Sequence, residues 1–406
     1  MRIYRYVDAT YHLKGEEGSF MTGREHMPAA TREGGVLRRE HSQVLRLFAL
    51  GFAIVAALAI TLGATLSAAQ AAGLFKFTQY KVPTANSAPS HITAGSDENL
   101  WFTESNPEFN EETFTEIGKV AQITPAGDIT EFAVCEFCSP NDIVQGPGSV
   151  LYFTTNDPGL GRITTAGEVQ GDVVPRNGLG DPIFSANGNG IARHDNDVWY
   201  ADFNNDTIYR YNTVSEEFTR FKVPNTPTDV AVDANGIVWY TANSPNAIGR
   251  LDPNSGTVVG NDPVTGEPTA NTGSVVGATT ETPVPAMPNK LAISTDGKVW
   301  YTERIADHIG RLDPSNSQLT RFPTLTPDAG PQDITAARDG SLWFTQANAG
   351  NAAQITADGT ITEADKASKA SAGTLENALG ITMGPDGRSV WFAKPADNMI
   401  ARLTPR

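Results

Sequence analysis

The sequence predicts an all-β fold, a seven-bladed β-propeller with four antiparallel strands in each blade. Three observations predict it: an aromatic segment that recurs seven times, Asn-Gly and Asp-Gly turns before several of these segments, and chain ends that complement each other. Successive copies of the segment are 40 to 61 residues apart. Repeats of this length, built from short β-branched strands, are typical of propeller blades.

The recurring segment is a short aromatic strand that contains every Trp of the chain. Its seven copies are centred on Trp101, Tyr152, Trp199, Trp239, Trp300, Trp343 and Trp391. One large aromatic residue per blade at a fixed register is what packing between adjacent blades requires. We therefore interpret these residues as structural and not as groups that stack on a ligand.

The other strands of each blade surround the aromatic strand. A short apolar strand precedes it, and the two are joined by turns such as residues 233–236 and 385–387, whose Asn-Gly and Asp-Gly pairs supply the positive φ that hairpins need. A third strand follows the aromatic strand, as in residues 248–251 of the fourth unit, and a fourth strand comes next, as in residues 218–223 of the third unit. This order predicts four antiparallel strands per unit.

The two ends of the predicted domain, residues 72–406, complete one blade together. Residues 75–83 read as a fourth strand without its first three, and residues 400–406 read as a third strand without its fourth. Pairing them closes the ring and removes exposed strand edges. Removing residues 74–83 should therefore open the ring.

Residues 1–71 read as an N-terminal extension that ends in an export signal or a membrane anchor. Residues 47–66 are uncharged and apolar, basic residues precede them, and small residues follow at 67–71. This arrangement is typical of a cleaved signal peptide, while an apolar run of about 20 residues can also span a bilayer. Both alternatives predict a periplasmic or extracellular propeller, anchored in the second case.

Charge and cysteine content restrict the partners and the compartment. The formal net charge is −16, which argues against nucleic acid and anionic membrane surfaces as partners. Membrane contact is expected only through an uncleaved 47–66 segment, and we expect a monomer. The only cysteines, Cys135 and Cys138, predict a local disulfide in an exported protein. The alternative, half of a metal site, lacks a second cysteine or histidine pair.

Polar residues recur where the innermost strands begin, around the predicted central channel. One position before the first apolar strand residue, the seven units carry His91, Asp142, Gly190, Asp229, Lys290, Asp333 and Gly380. One position earlier they carry Ser90, Asn141, Asn189, Thr228, Asn289, Gln332 and Leu379. Oxygen ligands suit Mg²⁺ or Ca²⁺, so Asp142, Asp229, Asn289 and Asp333 are candidate metal ligands. Alternatively, these side chains cap turns and hold channel water.

The repeats resemble the virginiamycin B lyase family. The similarity is carried by segments such as residues 92–105, 122–132 and 246–253, and it extends over residues 75–406. It implies metal-assisted elimination at an ester of cyclic streptogramin antibiotics, with histidines two positions before the apolar residue of an inner strand and a Glu nearby. None of those seven positions holds His in this chain. His91 is one position later, where strand alternation predicts a different orientation.

Three classes of function follow as hypotheses. The first is a lyase acting on a cyclic ester, for which His91, Glu104, Glu303 and Lys290 are the candidate catalytic residues. The second is a non-catalytic propeller that holds a small molecule or a cell-envelope partner over the channel. The third is a metal-dependent hydrolase of the lactonase type. A tightly bound divalent cation would favour either enzyme.

Overall fold

The computed structural model describes residues 75–111, 113–176, 188–259, 274–276, 278–364 and 378–405. The predicted N-terminal extension, with its export signal or anchor at 47–66, lies outside the described residues. Within those ranges, no helix is long and apolar enough to cross a membrane.

The described residues form seven sheets, which are the blades of a propeller. The chain starts with β1 (Phe75–Lys81) and then builds each blade in turn. Blade 1 contains β2 (Pro89–Ala94), β3 (Leu100–Asn110), β4 (Thr115–Ile123) and β5 (Ile129–Glu136). Blade 2 contains β6 (Pro140–Gln145), β7 (Val150–Thr155) and β8 (Leu160–Thr164). Blade 3 contains β9 (Gly188–His194), β10 (Asp197–Asp202), β11 (Thr207–Asn212) and β12 (Glu217–Lys222).

The remaining blades follow the same order from the channel outwards. Blade 4 contains β13 (Pro227–Val232), β14 (Val238–Asn243), β15 (Asn246–Leu251) and, after the short strands β16 (Thr257–Val259) and β17 (Ser274–Val276), β18 (Thr279–Pro283). Blade 5 contains β19 (Leu291–Ile293), β20 (Val299–Glu303), β21 (His308–Asp313) and β22 (Gln318–Pro323). Blade 6 contains β23 (Pro331–Ala336), β24 (Leu342–Gln346), β25 (Asn351–Ile355) and β26 (Ile361–Glu363). Blade 7 contains β27 (Ile381–Met383), β28 (Val390–Lys394), a short 3₁₀ turn (Pro395–Asp397) and β29 (Met399–Pro405).

The ring closes as the sequence predicts. The first strands of successive blades contact one another around the channel, and β27 contacts β2. β1 pairs antiparallel with β29 from Phe75 opposite Pro405 to Lys81 opposite Met399, which completes blade 7. Asn398 secures the junction, since its Nδ2 donates to the carbonyl of Thr84 at 2.7 Å. The predicted seven-bladed propeller with a ring closed by an N-terminal strand is confirmed.

The aromatic strands are the packing core of the ring. Trp101, Trp199, Trp300 and Trp391 are fully buried, and an Arg of the neighbouring third strand lies over three of the six indoles. The closest of these contacts places the guanidinium of Arg402 4.9 Å from the ring centre of Trp391. Such cation–π contacts stabilise the register of the second and third strands. These positions therefore have the structural role that their regular spacing predicts.

A threonine two positions after the aromatic residue links each of five blades to the next. Its Oγ1 donates to a carbonyl at the start of the neighbouring blade's first strand, at 2.6 to 3.0 Å. The five residues are Thr103, Thr154, Thr241, Thr302 and Thr345. Blades 3 and 7 carry Ala201 and Ala393 at this position, so these bonds form an incomplete ring.

Two blades depart from the regular four strands. Blade 2 has three strands, and its outer edge is covered through isolated bridges that join Leu160 to Val173 and Ile163 to Val169. An insertion between β15 and β18 of blade 4 supplies β17, which pairs in parallel with β12 at the outer edge of blade 3. The described part of that insertion therefore extends a neighbouring blade and does not lie over the channel.

Candidate functional site

The seven first strands begin at one end of the channel, which we call the upper face. Bulges interrupt these strands close to their start, between Pro89 and Ile92 in blade 1 and between Pro140 and Ile143 in blade 2. Blades 4 and 6 carry similar shifts. Because a bulge changes which way the following side chains point, simple alternation fails there. His91 therefore lies in the same central group as Asp142 and Lys290.

Lys290 is the centre of this group. Its Nζ donates to Asp142 Oδ2 at 2.6 Å and to Asp229 Oδ1 at 3.1 Å, so one ammonium joins blades 2, 4 and 5. The three side chains are between 7% and 13% exposed. Asp333 of blade 6 and His91 of blade 1 lie near enough to interact electrostatically with Lys290. We call these five residues the lysine cluster.

The aspartates of the lysine cluster also hold the inner edges of the blades. Asp229 Oδ2 accepts from the backbone N–H of Leu291 at 2.9 Å, and Asp333 Oδ2 accepts from that of Ile381 at 2.9 Å. The other oxygen of Asp333 accepts from the N–H of Ile334 at 2.7 Å. Each bond satisfies an amide at the edge of a first strand, where no further strand is available. The carboxylates of Asp229 and Asp333 therefore link neighbouring blades at the inner edge of the ring.

Burial and charge set the protonation of the lysine cluster. Burial raises the pKa of Asp229 to about 6 and the pKa of Asp333 to about 7, although Lys290 opposes both shifts. Burial alone would raise the pKa of Asp142, but His91 and Lys290 outweigh it and hold that pKa below its ordinary value. Burial would lower the pKa of Lys290, but the carboxylates outweigh it and raise that pKa. The ammonium therefore stays charged at neutral pH.

His91 is a partly buried imidazole that is neutral near pH 7. Its Nδ1 lies 3.0 Å from the carbonyl oxygen of Asn141 and 3.0 Å from Ser90 Oγ. Burial lowers the pKa of His91 to about 4, more than the neighbouring Asp142 raises it. A base with so low a pKa is poorly matched to proton abstraction near neutral pH.

The candidate metal ligands do not form a coordination site. Asp142 and Asp229 both hold the ammonium of Lys290, and Asn289 Nδ2 donates to the carbonyl of Gln332 at 2.7 Å. Across the described ranges, no three His, Cys, Asp or Glu side chains lie close enough together to hold a metal ion. A divalent cation among these carboxylates would also be repelled by Lys290. These residues therefore do not fit Mg²⁺ or Ca²⁺, and a bound cation stays a prediction.

The two glycines of the predicted polar ring have a steric role. A Cβ at Gly190 would lie 1.9 Å from Asp229 Oδ1, and one at Gly380 would lie 2.5 Å from the Cα of His91. Both positions allow the neighbouring blade to approach closely.

The other two catalytic candidates lie apart from the lysine cluster. Glu104 is 1% exposed beside Ser87 and Glu131, and burial raises its pKa to about 8. Glu303 is fully buried and accepts from Arg321 Nε at 2.8 Å. Glu104 thus lies near Glu131 in the outer strand of blade 1, and Glu303 pairs with Arg321 in the outer strand of blade 5.

Cys135 and Cys138 are joined as a disulfide at the end of β5. The carbonyl and sulfur of Cys138 lie against Gly118 of β4. The disulfide therefore fixes the loop that leads into blade 2.

A groove of about 340 Å³ opens on the upper face over blades 1 to 3. It is lined by Ser105, Ser139, Pro140, Asn141, Thr155, Asn156, Gly188, Asn189, Phe203 and Asn204. Asn141 Nδ2 donates to Asn189 Oδ1 at 3.1 Å, which holds two amides side by side. The carbonyl of Asn141 contacts His91, so the groove adjoins the lysine cluster.

Sequence reasoning identified Asn141 and Asn189 as members of a polar ring but missed the rest of the groove. Phe203 and Asn204 follow the aromatic strand of blade 3, and Ser139 precedes blade 2. The available signal was a cluster of Asn, Ser and Gly at the upper ends of three consecutive units. That signal is also what ordinary turns produce.

Comparison with known proteins connects this geometry to one family. A sequence model of the virginiamycin B lyase family matches residues 67–258 and 269–406. A virginiamycin B lyase from Nocardia farcinica (strain IFM 10152) is 27% identical over 179 residues, which cover 44% of this chain and 52% of that relative. The chain thus matches about half the length of this curated relative.

Solved structures share the ring. A streptogramin B lyase structure matches with a TM-score of 0.66 and 25% identity over 83% of this chain and 99% of that chain. A catalytically inactive virginiamycin B lyase variant from Staphylococcus aureus, solved with quinupristin, matches with a TM-score of 0.64 and 25% identity over 81% and 99%. The extracellular domain of a hybrid two-component system from B. thetaiotaomicron shares the fold alone, at 14% identity and a TM-score of 0.56 over 80% and 39%. Since the family model covers all seven blades, this chain belongs to the virginiamycin B lyase family.

Proposed function

We propose that this protein is a binding propeller, which holds an uncharged, amide-rich small molecule in the groove of its upper face. The observation that carries the proposal is the lining of that groove. None of its ten lining residues has an ionisable side chain. Elimination at an ester needs a base within hydrogen-bond reach of the proton that it removes.

The chemistry of the lining favours a ligand with a peptide-like backbone. Amide side chains both donate and accept hydrogen bonds, and four Asn residues line the groove with Ser and Thr hydroxyls. Phe203 adds an apolar surface that is 47% exposed. A volume of about 340 Å³ lies in the range of small-molecule sites, about 300–1,000 Å³. A cyclic depsipeptide of the virginiamycin B or quinupristin class would supply complementary amides and apolar groups.

Titration calorimetry of the full chain with virginiamycin B tests this proposal. We expect saturable binding, weakened about tenfold by Phe203→Ser because an aromatic anchor is lost. Ile305→Ser is the matched control, since Ile305 follows the aromatic strand of blade 5 on the same face and is 79% exposed. Absence of binding, or equal affinity of the Phe203→Ser variant, would overturn the proposal.

A lyase acting on a cyclic ester is the second candidate, and family membership supports it. Its product would keep the mass of the substrate but elute differently. A lactonase-type hydrolase, the third class, would yield a product heavier by one water.

We also propose that the propeller works outside the cytoplasm, as residues 47–66 and the Cys135–Cys138 disulfide suggest. Cell fractionation followed by N-terminal sequencing separates a cleaved signal from an anchor. Recovery of the whole protein in the cytoplasm would contradict this.

A further inference from the structure

A hairpin that projects from blade 1 presents exposed aromatic side chains. β3 and β4 extend past Glu104, and their upper parts pair Phe109 with Glu116 and Asn110 with Thr115. Phe109 is 55% exposed and Phe114 is 74% exposed, and their rings meet edge to face at 6.4 Å. Phe137, in the disulfide loop, is 58% exposed. We call these three residues the aromatic tip.

The aromatic tip belongs to the upper face. The backbone N–H of Phe137 donates to the carbonyl of Glu116 at 2.6 Å, so the disulfide loop is fastened to the hairpin. Ser105 and Ser139, at the base of the hairpin and of the loop, line the groove. Of the nine large apolar side chains that the described residues expose, only Val169 and Val214 lie at turns of the opposite face. On the upper face, Phe109, Phe114 and Phe137 lie together at the hairpin and its loop, and a cluster of exposed apolar side chains, unlike single ones, marks an interaction surface.

The hairpin is held in a defined conformation before any partner arrives. Lys119 bonds Glu108 and donates to Thr84 Oγ1 at 2.7 Å, which ties the hairpin to the ring junction. Preordered aromatic residues bind at low entropic cost, because few torsions are immobilised.

Charge selects the kind of partner. The exposed charged side chains of the hairpin and loop include Glu108, Glu111, Glu116 and Glu136. Lys119 lies inside, with a side chain that is 14% exposed. An acidic rim around exposed aromatics repels anionic lipid and a second acidic copy of this chain, and it attracts a positively charged apolar segment.

We propose that the aromatic tip is the docking surface for a basic protein or peptide segment that carries exposed apolar side chains. The segment inserts its apolar side chains between the phenylalanines, and its lysines or arginines pair with the glutamate rim. This surface is separate from the small-molecule groove, although the two share a face.

Fluorescence anisotropy of the full chain with two synthetic peptides tests the proposal. One peptide alternates Lys with Leu and Trp, and the other replaces every Lys with Glu. We expect the basic peptide to bind in a salt-sensitive way, and the Phe109→Ser/Phe114→Ser variant to bind about tenfold more weakly. The matched control is Val214→Ser, which removes a 75% exposed apolar side chain from the opposite face and should leave affinity unchanged.

Four results would overturn the proposal. They are equal affinity of the Phe109→Ser/Phe114→Ser variant, equal affinity of the acidic peptide, flotation of the protein with neutral lipid vesicles through the aromatic tip, and self-association lost in the same variant. Because Phe109 and Phe114 are exposed, the variant should keep the wild-type melting temperature, which separates lost docking from lost folding.

Discussion

Replacing Lys290 with Met removes the positive charge of the lysine cluster and keeps most of the side-chain volume. Lys290 joins Asp142 and Asp229 at 2.6 and 3.1 Å, in a site where the side chains are at most 13% exposed. Without the ammonium, the buried carboxylates of Asp142 and Asp229 lose their positively charged partner, and the nearby carboxyl of Asp333 adds no compensating charge. Removing one partner of a buried ion pair costs about 3–5 kcal/mol. We therefore expect Lys290→Met to lose that much free energy of unfolding at pH 8, or on the order of 10 °C in melting temperature.

The loss should depend on pH with a defined sign. In the Lys290→Met variant the pKa of Asp229 rises further above its ordinary value, and Asp142 loses the Lys290 charge that helps to hold its pKa below the ordinary value, so the folded state takes up protons more readily. A group whose pKa is raised by folding stabilises the folded state at low pH, and this contribution is lost as pH rises through the folded pKa. The difference between variant and wild type should therefore be smaller at pH 5 than at pH 8.

Lys298→Met is the matched control for this measurement. Lys298 also lies near two aspartates, Asp296 at 3.5 Å and Asp313 at 3.3 Å, but its side chain is 28% exposed. Surface pairs of this kind contribute about 0–1 kcal/mol. Urea unfolding followed by Trp fluorescence measures both variants. Equal losses for Lys290→Met and Lys298→Met would refute the reasoning that the ammonium stabilises the ring.

Three further predictions concern the fold. Burial raises the pKa of Glu104 from 4.5 to about 8, so the contribution of Glu104 to the free energy of unfolding falls as pH rises between these values, by up to about 1.4 kcal/mol per pH unit. Glu104→Gln should therefore flatten the pH profile of unfolding, whereas the exposed control Glu168→Gln should not. Identical profiles for the two variants would contradict this. Thr302→Val removes one of the two donors to the carbonyl of Gln332, the other being Asn289 Nδ2, and should cost about 0.5–1.5 kcal/mol in urea unfolding. Exposed Thr280→Val should cause no change, and a loss equal to that control would contradict the bridging role. Deletion of residues 74–83 removes the pairing of β1 with β29 and should lower the melting temperature. An unchanged melting temperature would contradict the conclusion that β1 closes the ring.

The ring could be predicted from the sequence because its signals are local and repeated. The aromatic residue at 101, 199, 300 or 391 marks a second strand in the same way each time. The single strand at 75–83 can pair only with the last blade, which lacks a fourth strand. Blade 2 is the exception. Its outer edge is covered by isolated bridges near Val169 and Val173, and no periodic pattern marks such a covering.

The candidate site was predictable only as a set of residues, not as an arrangement. His91, Asp142, Asp229, Lys290 and Asp333 share one sequence position, so their convergence on the channel follows from the repeat. Their bonding does not, since bulges near Pro89 and Pro140 reset the side-chain directions. The positive charge of Lys290 at the centre, where a metal was predicted, depends on blades 2, 4 and 5 meeting at one point.

The groove escaped prediction for a related reason. Its walls come from three blades, and each contributes short polar turns with no periodicity of their own. Phe203 illustrates the point, because nothing in its neighbouring sequence distinguishes an exposed groove residue from a buried one.

The most direct test of the central claim is mass spectrometry of virginiamycin B after incubation with an equal concentration of the full chain and Mg²⁺, beside an active lyase as control. A binding propeller with no base in its groove should return the ligand unchanged in mass and in retention time. A product of the same mass that elutes differently would contradict the account, since it would mean that a group outside the groove lining removes the proton.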